Sequence, residues 1–93
     1  MPSRGARPTL SLAQVFANLG RALASAGATF GDVLKTTTFI TDVRNLGLLR
    51  EARARHFDAA RAPANTLIPV SALARPELLL EIEAVAEIRA PSP

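Results

Sequence analysis

Apolar residues first settle into a rhythm at Leu12. Val15, Phe16, Leu19, Leu23 and Ala26 follow at three- to four-residue spacing, which lines one face of a helix. Ser11 followed three positions later by Gln14 is a capping-box signature, and Gly27 supplies a stop. The spacing predicts a first helix over 12–26. Ala28 to Asp32 read as a turn. From Val33 to Ile40 the period changes: Val33, three successive threonines, Phe39 and Ile40 form a β-branched, aromatic run that favours a strand. Thr41 and Asp42 close it.

Asn45 stands as cap to a second helix over about 46–57. Leu46, Leu49, Ala52, Arg53, His56 and Phe57 fall on its inner face, and Arg50 and Arg55 lie elsewhere. Pro63 ends the next loop. Asn65–Val70 reads as a short strand in which Pro69 removes one ladder donor, so it belongs at an edge or a bulge. Arg75-Pro76 marks a turn. Over 78–88 the alternation is clearest: Leu80, Ile82, Ala84, Ala86 and Ile88 take one face, and Glu81, Glu83, Val85 and Glu87 the other. The order is α-β-α-β-β. Two amphipathic helices over one face of a single sheet make an α+β layer.

Composition narrows this further. Ninety-three residues make one domain, with a loose leader over 1–9, a core over 10–89 and a tail over 90–93. A chain this short buries only roughly 60–65% of its extended surface, which makes oligomerisation a natural remedy. The absence of Cys excludes a disulfide framework and a thiolate metal site, and suits a reducing cytosol. A lone histidine, His56, argues against a multi-His metal site. No apolar run is long enough to span a membrane, and no apolar core follows Arg4 and Arg7 as in a signal peptide. The net charge of +3 comes without Tyr or Trp, so a stacking nucleic-acid surface is not built. An acidic small metabolite fits the charge better.

Several segments resemble the RidA (YjgF) family. They are Gln14-Val-Phe-Ala-Asn-Leu, the run from Ala26-Gly-Ala-Thr-Phe-Gly-Asp through Lys35-Thr-Thr-Thr-Phe-Ile-Thr-Asp-Val, Pro63-Ala64, and Leu79-Leu-Glu-Ile-Glu-Ala-Val-Ala. They occur in the family's order from about Leu12 to Ile88. The resemblance implies a chorismate-mutase-like subunit, a homotrimer with clefts between subunits, and no cofactor or metal. It also implies hydrolysis of enamine/imine metabolites, 2-imino acids becoming 2-keto acids and ammonia. The family usually carries a β-hairpin region and a further strand ahead of the first helix, a region that supplies a cleft Tyr; neither is found here. An upstream segment, another chain, or a branch that has dispensed with the hairpin are all compatible with the sequence.

The resemblance also assigns candidate residues. Glu81 aligns with the acid that positions the attacking water; the plainer reading is a solvated sheet-face acid beside Glu83 and Glu87. Asn65 stands where active imine deaminases have an Arg that grips a carboxylate in a bidentate fork. Exchanging that charge-assisted pair for a neutral one costs roughly 1–2 kcal/mol per bond. Thr66 and the backbone of Leu67 align with substrate-binding positions, although strand pairing alone accounts for them. Arg50 falls where deaminases often have a cleft Asn, and could restore positive charge from another direction. Lys35 and His56 read as packing residues. Glu81 with Glu83 is a same-face acid pair lacking any further metal ligand. A non-catalytic trimer that binds a metabolite or a protein is the alternative to an enzyme, and RNA cleavage has no His pair or basic aromatic surface to support it.

Overall fold

The computed structural model describes residues 8–88, and the side chains from Leu12 onward. The expected leader, apart from positions 8 and 9, and the tail lie outside those residues. Helix α1 runs over Pro8–Ser25, strand β1 over Val33–Ile40, helix α2 over Leu46–His56, strand β2 over Ala64–Pro69 and strand β3 over Leu80–Ala86. Both helices cover one face of a mixed sheet ordered β2-β1-β3, with β1 parallel to β2 and antiparallel to β3. This is the expected α+β architecture.

Some details differ from the sequence reading, and β2 begins and ends one residue earlier than expected. Helix α1 already includes Pro8, so residue 11 lies within the helix rather than at its cap. Gly27, at φ 81°, ends the unit as expected, in the left-handed region where only glycine is unstrained. Asn45 occupies the cap position of α2 but makes no side-chain cap bond. The carboxylate of Asp42 does that work one turn earlier, accepting from the Arg44 backbone N–H at 2.9 Å. Strand β3 is shorter at both ends than the alternation suggests, because the pairing register with β1 runs only from Leu80 to Ala86.

The core lies between the helices and the sheet. Leu12, Phe16 and Leu23 from α1 meet Leu49 and Ala52 from α2 over Val33, Ile40 and Leu80. At one end the His56 ring lies flat on Phe16, centroids 4.8 Å apart, and Phe30 meets Phe57 edge-on. Such pairs each add about 0.5–1.5 kcal/mol beyond their buried area. His56 is therefore the packing residue that the sequence suggested.

Thr36 and Thr38 are the polar exception in this core, both with no exposed surface. Their hydroxyls donate to the Asn65 Oδ1 at 2.8 and 3.0 Å, and the Thr36 Oγ1 accepts from the Arg53 Nη1 at 3.0 Å. Burial of hydroxyls is tolerated only because each is hydrogen-bonded. Thr36→Val keeps the shape and deletes both bonds, so it should cost about 1–3 kcal/mol in urea unfolding. Leu49→Ala, a cavity at a residue 1% exposed, should cost about 2–5 kcal/mol in the same assay. A Thr36→Val loss below about 0.5 kcal/mol would show the hydroxyl to be idle.

Candidate functional site

Strand register decides where each candidate side chain points. Residues opposite one another on neighbouring strands share a sheet face. Asn65 is opposite Thr36, whose side chain is buried under the helices, so Asn65 lies on the helix-covered face at the outer margin of β2. Its Oδ1 is held by Thr36 and Thr38. With the oxygen so engaged, the amide NH2 is the free end of an otherwise exposed side chain. Thr66 is opposite Thr37 and takes the other face, where it is exposed. The Leu67 side chain is opposite Thr38 and packs against the core.

The backbone of β2 contributes separately. The Val70 N–H donates to the Ile40 carbonyl at 2.9 Å. In a parallel ladder, alternate residues turn both backbone groups towards the same neighbour. Residues 66, 68 and 70 therefore face β1, whereas Asn65, Leu67 and Pro69 turn outward. Pro69 thus lacks its N–H where no ladder partner is needed, as its edge position requires. The backbone of Leu67 is presented on the outer edge of the described sheet.

Glu81 is opposite Phe39 on β1, and Glu83 opposite Thr37. Both are exposed on the face away from the helices. Asn65 and Glu81 thus lie on opposite faces, with β1 between their strands. From strand and rung spacings they stand about 14 Å apart. One subunit does not bring them together.

Helix α2 carries the charge near Asn65. Arg50 is exposed and lines an open groove of about 320 Å³ with Arg53, Ala54, Phe57, Ala59 and Ala62. Arg53 is half-buried, with its guanidinium carbon 5.1 Å from the centroid of the Phe57 ring. Burial pushes its pKa below the usual arginine value, yet a guanidinium stays charged in proteins. Among the described residues the ion pairs are Arg44–Asp42 and Arg75–Glu77, and neither involves Arg53. The sequence placed Arg53 on the apolar face of α2 without giving it a role. A cation on an otherwise apolar stripe was the available signal.

Known proteins match this chain in sequence and in fold. The family described as Endoribonuclease L-PSP matches residues 5–88. A RutC family protein from Synechocystis is 37% identical over 73 residues, covering 78% of this chain and 55% of its own. The mouse 2-iminobutanoate/2-iminopropanoate deaminase is also 37% identical over 73 residues, covering 78% of this chain and 53% of its own. The chain therefore spans just over half the length of these curated relatives. Among solved structures, a YjgF-family protein from Neisseria meningitidis superposes with a TM-score of 0.85 at 28% identity, covering 97% of this chain and 75% of that one. A YjgF/YER057c/UK114-family protein from Mycobacterium tuberculosis gives 0.72 at 37% identity, covering 78% and 61%. With helix, sheet and motif order agreeing along nearly all the described residues, the chain belongs to the RidA/YjgF family.

Proposed function

We propose that this protein, assembled as a homotrimer, hydrolyses small 2-imino acids to 2-keto acids and ammonia in clefts between subunits. The observation that carries the reading is Glu81: an exposed carboxylate, at the family's acid position, in a chain 37% identical to an imine deaminase. Glu81 of one copy takes a proton from water as the oxygen attacks the imine carbon. The C=N electron pair moves onto nitrogen, which takes that proton back from the Glu81 carboxyl. The hydroxyl proton of the tetrahedral carbon then passes by way of Glu81 to nitrogen, the C–N bond breaks, and ammonia leaves as the C=O bond forms. A carboxylate in this role contributes about 10²–10⁴-fold. The Thr66 hydroxyl and the outward backbone of Leu67 supply neutral hydrogen bonds to the substrate, with Asn65 on the edge of the same strand. No step calls for a metal or a cofactor.

Strand register supports a site shared between copies. Glu81 and Asn65 stand on opposite faces within one chain, so a cleft using both needs a second copy. The open sheet face exposes Val85 and Ile68 beside Thr66, Glu81 and Lys35, a mixed apolar and polar surface fit for burial against another subunit. Light scattering of the purified protein should give the mass of a trimer, whereas a stable monomer would leave no inter-subunit cleft to work in.

The activity test is ammonia release from 2-iminopropanoate generated in situ by an amino-acid oxidase. The wild-type trimer should accelerate release, and Glu81→Ala should lose about 100-fold or more. Absence of acceleration by a folded trimer would sink the hydrolytic reading and favour a non-catalytic, metabolite-binding trimer, the role that a neutral Asn65 also suits.

A further inference from the structure

We infer that helix α2 supplies the anion-binding group of this protein: Arg53, reinforced by Arg50, holds a small carboxylate in the groove that both arginines line. The inference deepens the proposed imino-acid hydrolysis by naming the residue that would grip the substrate's carboxylate, and it rests on that reading for the ligand's identity.

Three observations carry it. Asn65 has no charge, and its Oδ1 is occupied by the Thr36 and Thr38 hydroxyls. It can therefore offer an anion only its NH2. Arg53 is joined to the same position through a single hydroxyl: its Nη1 donates to Thr36 at 3.0 Å, and Thr36 donates to Asn65 at 2.8 Å. The Arg53 Nη1 and the Asn65 Oδ1 thus lie within about 6 Å of each other, and the NH2 of that amide within about 8 Å. That spacing lets the two oxygens of one carboxylate be shared between a charged and a neutral donor.

Secondly, the cation is held ready. The Thr36 bond and the Phe57 ring fix the Arg53 fork in place, so little side-chain entropy remains to be lost on binding. No carboxylate among the described residues forms an ion pair with it. A half-buried guanidinium bonded, among the described residues, only to a hydroxyl and an aromatic face retains N–H groups for an anion.

Thirdly, the groove has a suitable shape and charge. Arg50 lies three residues before Arg53, on the same side of the helix. The remaining lining is Ala54, Phe57, Ala59 and Ala62, an apolar wall for a short alkyl chain. A two-arginine mouth over alanine and phenylalanine fits a short 2-oxo or 2-imino acid. The charge that the resemblance expects on strand β2 is, on this view, displaced onto the neighbouring helix.

The test uses sodium pyruvate, a stable 2-oxo acid, titrated into the ¹⁵N-arginine-labelled full-length protein at low salt. Pyruvate should shift the Arg53 Nε–H resonance saturably. Arg53→Gln should weaken binding at least about tenfold, the loss expected when a charge-assisted fork is removed. Arg55→Gln removes the same charge from an exposed position on α2 and should change affinity less than about twofold. Should Arg53→Gln fail to fold, as judged by its thermal melt, Arg53→Lys keeps the charge and stem while losing the fork. It should still weaken binding at least about threefold. The idea is overturned if pyruvate leaves Arg53 unshifted, if Arg53→Gln binds as wild type, or if Arg55→Gln loses as much. The two readings separate cleanly. Pyruvate binding at Arg53 without ammonia release from 2-iminopropanoate sinks hydrolysis and leaves the anion site standing. Hydrolysis with kcat/KM unchanged by Arg53→Gln does the reverse.

Discussion

The hydroxyl of Thr36 is the joint on which the site side of this fold depends. It sits with no exposed surface on the central strand. It accepts from a side chain of α2 and donates to one of β2. Three elements that are distant in the chain are thereby tied at one atom. A buried hydroxyl can be kept in such a core only while its bonds are made, because an unmade one costs about as much as several methylene groups contribute. The apolar core around Phe16 and Leu49 would hold the helices on the sheet without it. The hydroxyl instead sets where Arg53 and Asn65 stand.

A second constraint comes from the sheet having only one covered face. The helices bury Thr36, Thr38 and Ile40 and leave Lys35, Thr37 and Phe39 to the other side. A strand has two faces and no third option. Neighbouring candidates on one strand, such as Asn65 and Thr66, must therefore diverge. The acid on β3 and the amide on β2 diverge in the same way. Chemistry that used both would need a second copy of the chain.

The resemblance expects a long cation at position 65, where this chain carries a short amide. That amide fits between the buried hydroxyls and the rim of β2. Its neighbour on the helix is a guanidinium braced by Phe57. A bulky charged side chain at 65 would compete with Arg53 for Thr36 and for space. Like charges at that spacing also repel. Arg53 and Asn65 thus meet through the one hydroxyl of Thr36.

Much of this architecture was legible in local pattern. The three- to four-residue period of Leu12 to Leu23, the β-branched run ending at Ile40 and the alternation from Leu80 to Ala86 are properties of a helix or a strand within itself. Period alone assigns them, with errors confined to the ends, such as the helical residues ahead of position 12. Motif order carried the family. Period could not show that Thr36 meets Asn65, 29 positions away, or Arg53, 17 positions away. Those meetings depend on β1 and β2 pairing in parallel through the α2 crossover, in one register. A shift of one residue would turn Asn65 to the opposite face. The sequence by itself determined the elements, their apolar faces and the family. Only the tertiary structure decided which polar side chains meet, because hydrogen bonds between distant residues are set by register and not by local periodicity.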